Sequence, residues 1–186
     1  MMMPEIVSER LMLRPFRRDD LDAFVAYRSD EDIARYQSWD SGYSMVDAER
    51  FLASQRSVRL GDVGNWLQLA MVDRASASVC GDCAVRFVPG QPATAEVGVT
   101  LAVSQQGMGF ATEALAALLA VLFVQHELHR VFAEADDRNV AVHRLLERLG
   151  FRCEARLVEA DWFKGTWSTL RTYAILDREY ASQKRT

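Results

Sequence analysis

Cysteine is scarce in this chain of 186 residues, and the three present are too few and too odd in number for a disulfide framework. Cys80 and Cys83 have C-x-x-C spacing, but no second pair or nearby histidine completes four zinc ligands, and Cys153 is remote. The pair falls inside a strand pattern rather than at a helix N-terminus, so two reduced strand cysteines are expected and no metal. No apolar run approaches the ~20 residues that cross a bilayer. Met1 to Glu5 lack the basic region and apolar core of a signal peptide. These absences predict a cytoplasmic chain with no membrane partner. The formal net charge is −4 and no five like charges run together, which argues against extended nucleic-acid binding. The local cluster of Arg10, Arg14, Arg17 and Arg18 reads better as a solvated strand end.

What is present suits one domain over residues 1–186, with 182–186 as a frayed tail. Apolar residues make up 49% of the chain, and at this length roughly 70% of the unfolded surface can be buried. Ser8 to Phe16 alternate as a half-buried strand. Asp19 and Asp20 offer a cap to a helix carrying Leu21, Phe24 and Val25, and Ser44 to Asp47 has the form of a capping box opening a second helix. Trp66 to Val72, Val79 to Val88 and the stretch ending at Val103 read as a meander of three strands. A long helix from about Phe110 to Gln125 follows, then a strand over Arg130 to Ala135 that should lie parallel to the strand before the helix. Asn139 caps a helix with Val142, Leu145, Leu146 and Leu149 facing inward, and Gly150 ends it. Phe151 to Ala160 and Trp167 to Leu176 are strands joined through Asp161 to Thr166, where Gly165 supplies the turn.

The stretch around which the rest is organised runs from Glu96 to Leu115. A strand rich in β-branched residues, Val97 to Val103, enters a turn at Gly107 and Gly109, and helical spacing begins at Ala111. The two glycines remove the Cβ that would hinder a sharp turn or keep a ligand from the backbone. A turn that feeds a helix N-terminus presents unpaired N–H groups and the positive end of a dipole, a site suited to phosphate. The P-loop reading fails because Phe110 and Ala111 follow Gly109 where a lysine and a hydroxyl are required. The dinucleotide fingerprint fails because Thr112 stands in place of its third glycine.

Gln106, Gly109 and Ala111 form a Q-x-x-G-x-A pattern, which resembles the pyrophosphate-binding turn of the GNAT superfamily of acetyl-CoA-dependent N-acetyltransferases. Asn139, Leu145, Gly150 and Phe151 are similar to a second segment of that family, at the correct distance. The opening strand and Ala95 to Gly98 look like the branch that acetylates ribosomal-protein N-termini (RimJ/RimL-like), which also contains small-molecule acetyltransferases. The resemblance covers almost the whole chain. It implies an α+β GNAT fold, a mostly antiparallel sheet of about seven strands with one splayed parallel pair and about four helices.

The resemblance also implies roles. Backbone groups of Leu101, Ala102 and Val103 would take the pantetheine arm as an added strand. The N–H groups of Gly107, Met108, Gly109, Phe110, Ala111 and Thr112 would bind the pyrophosphate of acetyl-CoA, with Gln106 shaping the turn and Asn139 near the far side of the pantetheine. The strands around Val103 and Glu134 would splay to leave a slot for the thioester. An ammonium with a pKa near 10 has no lone pair, so attack needs a base. Glu134 and Glu96 are the two candidates. On the acid side the chain departs from the family: Leu146 stands where many relatives carry tyrosine, and Val142 where the ribosomal branch often has serine. A GNAT-fold module that holds CoA without efficient turnover is therefore the alternative to an enzyme. The acceptor would be a peptide N-terminus or a small cationic amine, because Asp30, Glu31, Asp32 and Asp40 lie beside Tyr36, Trp39 and Tyr43, and Glu159, Asp161, Trp162 and Trp167 stand in the late hairpin. A homodimer is compatible with the resemblance.

Overall fold

Alternation of apolar side chains sets most of the strands. In the computed structural model, which describes residues 5–183, β1 (Ile6–Val7), β2 (Leu11–Pro15), β3 (Trp66–Asp73), β4 (Val79–Phe87), β5 (Thr94–Leu101), β6 (Arg130–Asp136), β7 (Arg152–Phe163) and β8 (Thr166–Leu176) form one sheet. Their order is β1-β2-β3-β4-β5-β6-β8-β7. Every neighbouring pair is antiparallel except β5 and β6, which run parallel as the strand–helix–strand unit requires. The helices are α1 (Leu21–Arg28), α2 (Glu31–Ala34), α3 (Met45–Gln55), α4 (Phe110–Ala120), α5 (Val140–Arg148) and α6 (Asp177–Gln183).

The architecture is the α+β one the sequence implies, with eight strands and six helices among the described residues instead of seven and four. The additions are β1, α2 and α6, of two, four and seven residues, too short for a hydrophobic period to mark them. Ser182 and Gln183 close α6 rather than opening a tail; the rest of the predicted tail, and Met1 to Pro4, lie outside the described residues.

Side chains from the two faces of the sheet build two cores. Leu67, Leu69, Met71, Val85, Val97 and Val131 pack on one face with Leu115, Leu118, Leu119 and Leu122 of α4 and the π turn that extends it. The other face carries Ala70 and Val72 against Phe16, Leu21, Phe24 and Ala48 beneath α1 and α3. By the two-residue period of strands, Trp66, Arg86, Glu96 and Glu134 share that second face. Cys80 and Cys83 are buried in β4 as free thiols, and desolvation pushes the Cys80 thiol up to about 11. At that value the thiol stays protonated near neutrality and is a poor nucleophile.

The arginine cluster is not a solvated strand end throughout. Arg14 is buried and meets Asp20 in a two-pronged pair at 2.7 and 2.8 Å. Asp20 therefore does not cap α1 with its side chain; its carboxylate also accepts from the Arg17 N–H at 2.6 Å. Removing one member leaves the other as an uncompensated buried charge. Asp20→Ala is expected to lower the unfolding free energy by about 3–5 kcal/mol, read from denaturant titration. A loss below about 1 kcal/mol would mean that the pair is solvated.

Candidate functional site

Backbone pairing between β5 and β6 covers only Thr94–Arg130, Ala95–Val131 and Glu96–Phe132. Beyond those three pairs the strands diverge. β5 stays hydrogen-bonded to β4 as far as Leu101, and β6 stays paired with β8 as far as Asp136. The splay leaves a fork in the sheet, with Glu96 at its root and Glu134 two residues past Phe132 on the opposite prong.

Two cavities that share part of their lining occupy the fork and its approach. The outer one, about 640 Å³, runs along Val99, Thr100, Leu101 and Val103 past Gln106 and the glycine turn to Asn139 and Arg148. The inner one, about 110 Å³, lies between Val97 to Val99 and Ala133 to Asp136 and is floored by Leu115, Leu145 and Leu146. Tyr36, Gln37, Asn139 and Val142 line both.

The glycine turn matches the sequence reading in conformation. Gly107 and Gly109 have φ of +77° and +81°, in the left-handed region. Gly109 is the residue before α4, so the N–H groups of Phe110, Ala111 and Thr112 fall in the first helical turn, where no helical carbonyl is available to them. A Cβ at Gly109 would lie 3.4 Å from Arg10 Nη2, while one at Gly107 would meet open space. Gly109 is thus required first for its backbone angle.

The turn is held from behind. Arg10 donates from its backbone N and from Nε to Glu113 at 2.7 Å each, and its Nη1 donates to the Met108 carbonyl at 3.0 Å. Ser8 Oγ adds a bond to Glu113 at 2.8 Å. Burial raises the Glu113 carboxyl, but the donors from Arg10 and Ser8 prevail and hold it below the usual carboxylate range. Nothing in the spacing of the sequence links Arg10 to Glu113, and this clamp was not foreseen.

Of the residues assigned to the cofactor turn, Leu101, Val103, Gln106, Gly107, Gly109, Phe110, Ala111, Thr112 and Asn139 line the outer cavity. Two do not. Met108 is exposed and gives its carbonyl to Arg10, and the Ala102 N–H is taken by the Cys80 carbonyl at 3.0 Å. Gln106 Nε2 donates to Leu101 O at 3.4 Å, tying the turn to the strand end. Asn139 accepts from the Val142 N–H at 3.3 Å, so it caps α5 and faces the cavities at once. Arg35, paired with Asp32 at 2.7 Å, and Arg148 also line the outer cavity; neither was singled out in the sequence.

The two carboxylates differ. Glu96 is half-buried and receives Arg86 Nη2 at 2.5 Å, and the Arg86 guanidinium lies 5.0 Å from the Trp66 ring centre. Burial pushes the Glu96 carboxyl up, Arg86 opposes the rise, and the charge of Glu134 adds to it. Glu134 is exposed on the inner cavity and accepts from Thr172 Oγ1 at 3.3 Å.

The aromatic and acidic loop is largely committed to the protein itself. Arg28, only 5% exposed, stands 3.7 Å from the Trp39 ring centre, 4.3 Å from Phe24 and 5.2 Å from Tyr43. The cation that these rings attract is internal. Asp30 caps α2, Asp32 pairs with Arg35, and Asp40 lies 3.3 Å from Lys164. Lys164, at the tip of the β7–β8 hairpin, also donates to the carbonyls of Ala34 and Trp39 at 2.7 and 2.6 Å. The loop and the hairpin are therefore latched together. The hairpin turn itself is only Lys164 and Gly165, since β7 and β8 extend to Phe163 and Thr166.

Among the described residues no cluster of three or more His, Cys, Asp or Glu side chains could hold a metal, and no helix is long and apolar enough to cross a membrane. For the turn, Gly109→Ala should reduce stability by about 1–2 kcal/mol through its left-handed φ alone. Gly42→Ala, where a Cβ meets nothing within 4 Å, is the control and should be close to neutral. Equal effects at the two sites in denaturant titration would remove the conformational argument.

Comparison with known proteins agrees with the geometry. The model of the acetyltransferase (GNAT) domain matches residues 10–152. An uncharacterized N-acetyltransferase p20 of Bacillus licheniformis is 26% identical over 96% of this chain and 99% of its own. A spermidine N-acetyltransferase from Vibrio cholerae, solved with CoA and spermine, superposes with a TM-score of 0.79 at 22% identity, covering 94% of this chain and 99% of that one. RimL, a ribosomal L7/L12 alpha-N-protein acetyltransferase solved with coenzyme A, gives a TM-score of 0.80 at 18% identity over 93% and 98% of the two chains. With a family model spanning most of its length and the forked sheet that the sequence resemblance implied, the chain belongs to the GNAT acetyltransferase family.

Proposed function

We propose that this protein transfers the acetyl group of acetyl-CoA directly to a primary amine. The observation that carries the reading is the pair of adjoining cavities, sharing lining residues, that extend from the glycine turn along the end of β5 and into the fork at Glu134. The parts fit a thioester of CoA. Unpaired N–H groups at the start of α4, with Arg148 3.3 Å from Thr112 Oγ1, suit the phosphates. The narrow strand-edge cleft suits the pantetheine arm, and the inner cavity suits the acyl group.

The amine would arrive on the sheet face that carries Glu96 and Glu134. A carboxylate there takes the ammonium proton, directly or through water, and frees the lone pair. The nitrogen attacks the carbonyl carbon, the C–N bond forms, and the C–S bond breaks. Leu146 and Val142 line the inner cavity and offer no proton to the leaving sulfur. CoA would depart as thiolate, a fair leaving group with a thiol pKa of about 8.5.

The acceptor is proposed at the level of chemical class, a small amine or a peptide N-terminus, as in the spermidine enzyme and RimL named above. A preference for polycations would draw on Glu134 and on the exposed rings of Trp162 and Trp167, because Trp39 and Tyr43 already surround Arg28 and Glu96 is paired with Arg86. A CoA-holding module without turnover remains the second reading, favoured by the missing acid groups.

Release of CoA thiol with a panel of amines separates the two. Transfer should occur, and Glu134→Gln should slow it by about 100-fold or more with little change in acetyl-CoA affinity. If Glu96 is the base, its raised pKa puts the acidic limb of kcat/KM above the ~4.3 of an ordinary glutamate, since only the deprotonated form accepts a proton. Glu96→Gln should then remove that limb. CoA binding with no thiol release from any amine would leave the holding module.

A further inference from the structure

We infer that Lys164 is a positioning residue for the transfer, whose ammonium holds one wall of both cavities in place. The inference rests on the acetyl-transfer reading above. That wall is the strap of residues 35–38, just after α2, whose Tyr36 and Gln37 line the outer and the inner cavity alike. Residues 35–39 form turns and bends. Lys164 grips this strap at both ends. Its Nζ donates to the Ala34 carbonyl, just before the strap, at 2.7 Å and to the Trp39 carbonyl, just after it, at 2.6 Å. Asp40 lies 3.3 Å away, so three ammonium donors face three oxygens. Bonds from an ionised donor are roughly twice as strong as neutral ones, and these join segments 125 residues or more apart.

The backbone points the same way independently. Lys164 and Gly165 are the two central residues of the β7–β8 turn, with φ of +49° and +79°. A two-residue turn with positive φ at both centres favours Asn-Gly, and a lysine in the left-handed region is strained. A side chain kept where the local preference runs against it marks a task that the side chain performs. The inner cavity connects that task to the chemistry. Tyr36 and Gln37 share it with Glu134, in the space where nitrogen and thioester carbon would meet. A strap that shifts by about 1 Å misplaces the reacting groups, and misplacement of that size slows a reaction by about 100-fold. The phosphates of CoA would be held on α4, so donor binding depends little on the latch.

The test uses Lys164→Asn, which gives the turn its preferred dipeptide and removes the ammonium, so the hairpin should survive. With one amine, kcat/KM should fall by about tenfold or more. Affinity for CoA, measured calorimetrically, should stay within about threefold. The Gln37 N–H, which donates to the Ala34 carbonyl at 3.0 Å, should exchange faster in the variant while the hairpin amides do not. Lys164→Arg keeps the charge and offers several donors to the same carbonyls, and should bring kcat/KM back to within about threefold of the native value. Lys164→Met, which keeps the stem without the donors, serves if the first variant does not fold. Native kcat/KM in Lys164→Asn, or a loss of transfer and CoA affinity together that Lys164→Arg does not repair, overturns the inference and leaves the acetyltransferase reading standing. Failure of the native protein to transfer acetyl to any amine removes that reading and this inference with it.

Discussion

Three residue pairs hold β5 to β6, and everything that makes a site here follows from where that pairing stops. A parallel pair that continued would close the sheet and bury Val97, Val99 and Ala133 against one another. Instead β5 is kept by β4 and β6 by β8, so each prong has its hydrogen bonds satisfied on its outer side only. The inner edges carry N–H and C=O groups with no strand between them, an arrangement that invites an extended ligand. The fork also brings the glycine turn, at the end of one prong, level with Asn139, just beyond the end of the other.

Such an opening has to be braced. Behind the turn, Arg10 and Glu113 fasten the start of β2 to the first turn of α4. Beyond β6, Asp137 accepts from Arg156 and Arg171, which hold its carboxyl down at about 2, while His143 contacts the Asp137 carbonyl at 3.2 Å. Asn139 is thereby set at the head of α5 with its side chain spent on the cap. Elsewhere, Lys164 joins the hairpin to α2 and the loop before α3, and Arg28 fixes that loop through Trp39 and Tyr43. These braces are ion pairs and hydrogen bonds between segments far apart in the chain, on the rim of a space that the hydrophobic core does not fill.

What could be read from the sequence was local. The left-handed glycines, the capping box of Ser44 and Asp47, the Asn139 cap, and Gly150 with φ of +82° all depend on residues a few positions apart. The long helix and the parallel pair followed from period and connection. Non-local partners were not legible. No pattern joins Arg10 to Glu113 or Lys164 to Trp39, and the rings of Trp39 and Tyr43, read as part of a site for an outside cation, surround Arg28. The fork itself was an inference from resemblance, since a strand that leaves its neighbour halfway keeps the same alternation. The role of Glu134 against Glu96 stayed open for the same reason: both sit at correct strand positions, and only their partners distinguish them.

The central claim is that the fork and the glycine turn together form the binding site for a CoA thioester. Hydrogen exchange with and without CoA tests it most directly, because the proposed contacts are backbone N–H groups. The account predicts slowed exchange in the segments 99–112 and 136–142, with the rest of the chain little changed. Unchanged exchange across 99–112 at saturating CoA, or protection confined to another face of the sheet, would contradict it.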